Sequence, residues 1–229
     1  MVTAEEAEKF LGVSFRNKRL LTTALTHSSF RNEHRCEDLE DYERLEFLGD
    51  AVLELIASEF VFKECPGSDE GILTKRRMTL VRTGTLSECA KKMNLLSLVA
   101  LGNGQKCSTM REINRILACV LEAVIGALYL DQGLVAARTF VHRTILSRLD
   151  ELDLEERSID PKSFLQERAQ DILKVTPTYK LIEKKGTDHD SSFTAGVYFC
   201  TDLAAIGVGK SVQEAQQKAA ESALVARGW

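Results

Sequence analysis

Proline and tryptophan are scarce in this chain, with three Pro and one Trp in 229 residues. The prolines, at 66, 161 and 177, fall at breaks between periodic runs and interrupt none of the longer ones. Cysteine chemistry of the framework kind is missing. The six cysteines, at 36, 65, 89, 107, 119 and 200, form no C-x-x-C pair and no regular spacing. That argues against a disulfide scaffold or a cysteine-based zinc module and leaves reduced thiols that pack as small hydrophobes. No apolar run reaches about 18 residues, so no membrane span is expected. Met1 to Phe15 alternates acids with isolated apolar residues, unlike a signal peptide, and the protein reads as cytoplasmic. A basic surplus is missing too: net charge is −4 and the pI about 5.7. Residues 158–229 carry as many basic as acidic residues, so the acid excess lies in the first 157. Any phosphate binding must come from local patches. A hydrophobic content of 44% and a mean hydropathy of −0.13 are those of an ordinary folded protein with material for one large or two modest domains.

What is present centres on Asp41-Tyr42-Glu43-Arg44-Leu45-Glu46-Phe47-Leu48-Gly49-Asp50. Apolar residues Leu45, Leu48, Val52, Leu55 and Ile56 recur at helical spacing through and beyond it, predicting one helix to about Glu64, where Cys65-Pro66-Gly67 stops it. Glu43, Glu46 and Asp50 then fall on one side of that helix. Glu46 and Asp50, four residues apart, have Cα atoms roughly 6 Å apart, within reach of one hard cation. Glu43, about 10 Å from Asp50, is placed to assist and not to chelate the same ion. A run of acids on a helix is usually a solvated face. Here the acids alternate with large apolar groups and are followed by Gly49, a poor mid-helix residue that points to close packing beside them. Buried like charges need a counter-ion, and a divalent metal is the simplest.

The rest of residues 1–150 reads as helical: Ala4 to Leu11 ending at Gly12, Lys18 to Thr26, a polar loop over 31–41, Ile72 to Val81, and Thr83 to Met93. His27 is read as a capping or packing residue. Lys75, Arg76 and Arg77 are the strongest local positive cluster of this half, open equally to solvent or to phosphates. Gly102-Asn103-Gly104 reads as flexible. From Ile113 a core helix runs through Leu130, with Glu122 alone among mostly apolar residues. A buried acid there needs a partner or a metal, which makes it the natural companion of Glu46 and Asp50. Leu134 to Leu149 closes this domain. Residues 151–160 are acidic and read as a linker. From Pro161 the pattern changes to a helix with Phe164, Leu165, Ala169 and Ile172 inward, three alternating strands (177–183, 192–200, 204–209) and an alanine-rich helix from Val212 to Arg227.

E-R-L-E-F-L-G-D, eight residues in succession, closely resembles the signature of the ribonuclease III family. The 161–229 region resembles the double-stranded-RNA-binding domain, with F-L-Q-E-x-x-Q in its first helix, G-x-D-H before the second strand and G-x-G-x-S before the last helix. The resemblance implies a mainly α fold: an all-helical endonuclease domain over 1–150, then a small α-β-β-β-α domain over 161–229. It implies a homodimer with Phe47 at the dimer contact, and hydrolysis of double-stranded RNA that leaves 5′-phosphate ends with short 3′ overhangs, typically in ribosomal-RNA precursors. Magnesium (Mg2+), with manganese (Mn2+) as a substitute, would be held by Glu46, Asp50 and Glu122, with Asp50, Glu122 and Glu43 in catalytic roles. The matching RNA-binding positions are Gln166, Glu167, Gln170 and His189, with Lys210 and Lys218 near the last helix's N-terminus.

Two departures stand out. Cys119 occupies the place, three residues before Glu122, where the family carries an aspartate, and the preceding run 108–115 also differs. Val212-Gln213 replaces a lysine pair. A thiolate is a poor magnesium ligand, so a weakened site is expected, although magnesium keeps waters where protein oxygens are missing. The alternative is a catalytically impaired paralogue that binds structured RNA without cutting it.

Overall fold

The computed structural model describes residues 2–34, 39–107, 109–149, 151–152, 160–185 and 191–229, which divide into two compact units, Met1–Leu149 and Asp150–Trp229. In the first, α1 (Ala4–Leu11), α2 (Lys18–Ala24), α3 (Ser28–Glu33), α4 (Glu43–Glu64), α5 (Glu70–Val81), α6 (Thr83–Lys92), α7 (Met110–Gln132) and α8 (Leu134–Thr144) surround one core, with short 3-10 turns between them. Local chemistry starts and stops these helices. Thr3 and Glu6 form a capping box on α1, and Gly12, with φ of 61°, ends it. Thr109 and Glu112 form a second box, so α7 starts at Met110, three residues before the apolar periodicity begins.

Helix α7 is the axis of the unit. It packs against α2, α4, α6 and α8. Its residues Ile116, Leu117, Ala118, Val120, Leu121 and the run from Ala123 to Leu128 are buried. By length and composition it could cross a membrane, yet most of it is covered by its neighbours, as in the core helix of a folded domain. Burying each such aliphatic side chain contributes about 1.5–3 kcal/mol. Against it lies α4, burying Leu45, Gly49, Val52, Leu53, Ile56, Ala57 and Val61. Two glycines set the separation of the pair. A Cβ on Gly49 would stand 1.8 Å from the Glu122 carbonyl oxygen, and one on Gly126 would stand 2.3 Å from that of Leu45. The helices therefore cross backbone to backbone.

Several expectations change. Leu55, read as inward, is 53% exposed. Leu48, Leu55 and Phe62 recur every seven residues, a second apolar stripe beside the one that faces α7. The first three residues of the expected loop over 31–41 belong instead to α3, Ser28–Glu33, capped by the His27 ring accepting from the Ser29 N–H. The second helix ends at Ala24, and Thr26 bridges to Ala100. Gly102-Asn103 is held, not loose: Gly102 N–H donates to Ser29 Oγ at 2.9 Å and Asn103 N–H to Glu33 Oε1 at 2.8 Å. The last helix of the unit stops at Thr144 and continues as a 3-10 turn over Leu146–Arg148.

The second unit is α9 (Pro161–Leu173), β1 (Thr178–Lys185), β2 (Ser192–Phe199), β3 (Asp202–Gly209) and α10 (Val212–Arg227). The strands form an antiparallel sheet in the order β1-β2-β3. Ala195, Val197 and Phe199 of β2 face a core of Phe164, Leu165, Ala169, Ala219, Ala220, Ala223 and Leu224. Alanines on α10 let it lie so close that a Cβ on Gly207 would reach within 2.2 Å of Ala219 N. Ile172 is exposed, a departure from the inward reading, and Leu173 packs on the core in its place. Of the linker at 151–160, residues 153–159 lie outside the described residues.

Gly126→Ala is expected to lower stability by about 1–3 kcal/mol, because separating two packed helices outweighs the roughly 1 kcal/mol of helix propensity gained. Gly84→Ala, where an added Cβ meets nothing, should be neutral or stabilising. Urea unfolding of both variants checks this; a fully stable Gly126→Ala protein would contradict the close crossing.

Candidate metal centre and nucleic-acid surface

The crossing at Gly49 and Gly126 places the α4 acids against the middle of α7. Glu46, Cys119 and Glu122, all half-buried, each offer a ligand atom, and these atoms lie within 4.8 Å of one another. The Cys119 sulfur therefore faces a Glu46 carboxylate oxygen across the two helices. Asp50 and Glu43 are exposed, and neither belongs to that group among the described residues. The picture of a fully buried acid cluster is therefore corrected: one face of α4 is shared between core and surface, and only Glu46 is drawn inward with Glu122. Asp50 still acts on the site through its charge, which helps hold Glu122 protonated.

Electrostatics mark the place as one that lacks positive charge. Burial, followed by the negative charges of Asp50, Glu46 and Glu54, pushes the Glu122 carboxyl up to about 8. Burial and the neighbouring Glu46 push the Cys119 thiol up to about 12. Burial, and then Cys119, Glu46, Glu43 and Asp41, raise the Tyr42 hydroxyl. On the other flank, burial lowers His27 against the opposing pull of Glu43 and Asp41. His27 also meets Tyr42 edge to face, in keeping with a packing role.

Glu54 was not singled out from the sequence, although it sits one turn beyond Asp50 on the same helix. It pairs with Arg77 at 3.0 Å, and Arg77 also reaches Ser58, while Arg76 donates to Cys65 Sγ. Two members of the 75–77 cluster are thus turned onto α4, and Arg77 brings positive charge to the rim of the acidic group. Arg115, which counters the rise at Cys119, was likewise missed.

A cavity of about 910 Å³ borders the opposite flank, lined by Glu43, Arg44, Phe47 and Leu48 of α4 with Arg31 and Asp41 among others. None of Glu46, Asp50, Cys119 or Glu122 lines it. Phe47 beside it is 82% exposed. An aromatic left in water at that level marks an interaction surface.

In the second unit Gln166 and Gln170 are exposed on α9 and Glu167 is half-buried; Gln170 donates to Thr176 Oγ1 at 3.2 Å. His189 lies outside the described residues. Lys218 is not a bare cation at the start of α10, and Lys210 meets the same glutamate through its backbone. The Lys210 N–H donates to Glu214 at 2.8 Å, and the Lys218 ammonium pairs with Glu214 at 2.8 Å. Ser211 caps the same helix by accepting from the Glu214 N–H.

In the folded chain the Glu122 pKa, about 8, lies above its ordinary value of 4.5, so the native state binds more protons than the unfolded one. That contribution is fully present below about pH 4.5 and is lost as pH rises through about 8. Glu122→Gln in chelator-treated protein should therefore unfold at a higher temperature than the parent at pH 8 and at nearly the same temperature at pH 4. Equal midpoints at both pH values would show that Glu122 carries no such charge stress.

Comparison with known proteins fits this geometry. Residues 17–149 match the family model described as Ribonuclease-III-like, and residues 161–225 match the Double-stranded RNA binding motif. Ribonuclease 3 of Geobacillus kaustophilus is 44% identical over 220 residues, covering 96% of this chain and 89% of that protein. Ribonuclease 3 of Roseiflexus sp. is 43% identical over 224 residues, covering 97% of this chain and 94% of that protein. The crystal structure of the ribonuclease III nuclease domain from Campylobacter jejuni superposes with a TM-score of 0.57 at 36% identity, covering 65% of this chain and 97% of that one. A second structure of that domain, with a TM-score of 0.55 and 36% identity over 61% of this chain and 94% of that one, is described by its flexibility in a region involved in dimer formation. With a nuclease unit and a double-stranded-RNA-binding unit in the same order, and relatives this similar over nearly its whole length, the chain belongs to the ribonuclease III family of endoribonucleases.

Proposed function

We propose that the protein cuts double-stranded RNA by hydrolysis at a divalent cation, magnesium in the first place with manganese as a substitute, held by Glu46 and Glu122 with Asp50 beside them. The observation that carries this reading is the convergence of two helices on Glu46 and Glu122, where burial and the negative charges of Asp50, Glu46 and Glu54 raise the Glu122 carboxyl. The donor set fits such an ion. Two carboxylates suffice for a cation that keeps several waters. When bound, the cation supplies an activated water and offsets the charge developing on the leaving oxygen.

The chain's own groups do the rest. Glu46 and Glu122, brought together by the glycine crossing, present their oxygens to one place. Asp50 adds negative charge from the exposed side, and Glu43, on the cavity flank near His27, assists from a distance. Glu46, Asp50 and Glu122 do not line the large cavity, so a substrate as broad as an RNA duplex need not enter it to reach them. Products would be 5′-phosphate ends with short 3′ overhangs, and ribosomal and other structured RNA precursors in the cytoplasm are the proposed targets.

Duplex binding is assigned to the second unit. Gln166, Glu167 and Gln170 of α9, with His189, would meet the minor groove, and Lys210 and Lys218 the phosphates. Glu214 competes with phosphate for Lys218, so binding should be weak and salt-sensitive. Phe47 is proposed to pack against a second copy beside the cavity. A self-complementary two-fold contact would cover the exposed ring on both protomers.

Asp50→Asn and Glu122→Gln are each expected to lower cleavage of a long RNA duplex by a factor of 100 or more while duplex binding stays within about twofold, since charge changes and shape does not. Near-parental cleavage by either would remove that residue from the site. Deleting residues 158–229 should weaken duplex binding strongly and leave cleavage at low salt, measured with a shift assay and gel-resolved products. A folded, dimeric truncation with no low-salt activity would place part of the chemistry in the second unit.

A further inference from the structure

Cys119 stands one helical turn before Glu122. Its neighbours Ala118 and Val120 are buried in the core, whereas Cys119 is half-buried and faces Glu46 across the helix crossing. Packing alone does not account for a thiol in that position. Its sulfur and an oxygen each of Glu46 and Glu122 lie within 4.8 Å of one another. Ligands bonded to one ion at about 2.0–2.3 Å stand roughly 3–4 Å from each other, so small side-chain adjustments bring all three onto a common cation. The backbones cannot drift apart to release the sulfur, because Gly49 and Gly126 hold them in contact.

Resting on the divalent-cation reading above, we infer that Cys119 is itself a ligand, giving the site one sulfur and two carboxylates and a preference for borderline cations such as zinc or cobalt(II) over magnesium. On binding, the S–H bond breaks, its proton passes to water, and the sulfur's electron pair forms the metal–sulfur bond; nothing is oxidised or reduced. Magnesium gains little from sulfur and completes its shell with water. A borderline cation gains a strong third bond. Three protein ligands and an open position are also the usual composition of a catalytic zinc site. The aspartate-to-cysteine change thus redirects the site to a different class of ion, which would compete with magnesium where both are present.

The test is X-ray absorption at the zinc edge on the full-length, chelator-treated protein loaded with one equivalent of zinc, alongside calorimetric titrations with zinc and magnesium. The expected spectrum has a sulfur shell near about 2.3 Å beside oxygen at about 2.0–2.2 Å. The sulfur shell should vanish in Cys119→Ser, with zinc affinity falling roughly tenfold or more and magnesium affinity nearly unchanged. Cys200→Ser, in the other unit, should alter neither. Cys119→Asp should raise magnesium affinity and narrow the zinc-to-magnesium ratio, a second variant that serves if the serine protein does not fold. An oxygen-only shell in the parent protein overturns the inference, as does a sulfur shell that survives in Cys119→Ser. If that happens while Glu122→Gln still abolishes magnesium-supported cleavage, only the thiolate assignment falls. If Glu122→Gln cleaves normally, the carboxylate site falls with it.

Discussion

The contact on which this protein depends is the bare-backbone crossing of α4 over α7. Gly49 lies against the Glu122 carbonyl and Gly126 against that of Leu45, with no room for a methyl group on either side. Side-chain packing normally keeps helix axes 8–10 Å apart, and glycines at the point of contact are what permit a closer approach. The consequence is electrostatic. Residues one turn from each glycine are forced together, and those residues are acids. Folding thus concentrates carboxyl groups against the middle of a mostly apolar helix, and hydrophobic burial along α7 offsets the cost.

Much of this was legible in the sequence, because the signals were local. The spacing of Glu46, Gly49 and Asp50 told of a helix with a tight contact beside carboxylates, and the solitary Glu122 in an apolar run named its partner. The stop at Cys65-Pro66-Gly67 and the three-strand pattern after Pro161 were equally plain. The start of α7 was misplaced by three residues because apolar periodicity was followed in preference to the Thr109–Glu112 capping box. Errors elsewhere came from effects that local patterns do not encode. Leu55 and Ile172 have the right spacing to be inward but the core has no space left for them. Gly102-Asn103 looks loose by composition, and only contacts with Ser29 and Glu33, some seventy residues earlier, hold it. The split between exposed Asp50 and half-buried Glu46 depends on the angle at which two helices meet, which no single-helix projection reveals.

The second unit solves a different problem. Over residues 158–229 it has no net charge to offer a polyanion, and of its two best-placed lysines Lys218 is paired with Glu214. Its fixed asset is shape: a sheet held flush to α10 by Gly207 and by alanines along the helix, which sets where α9 and the start of α10 stand relative to each other. A surface of this kind recognises the geometry of a duplex more than its charge, and Glu214 makes the Lys218–phosphate contact an exchange of partners.

The central place of α7 also bears on how the chain is made. The helix emerges after α1 through α6, yet it supplies the surface against which α2, α4 and α6 pack. Until residue 132 has left the ribosome, the faces of α2, α4 and α6 that pack on α7 stay uncovered. More than half of the polypeptide must therefore be translated as an open, sticky intermediate, whose hazards are aggregation and premature capture by chaperones. The slow step in producing this nuclease is then the arrival of one segment, and its yield should depend on how quickly translation passes through it.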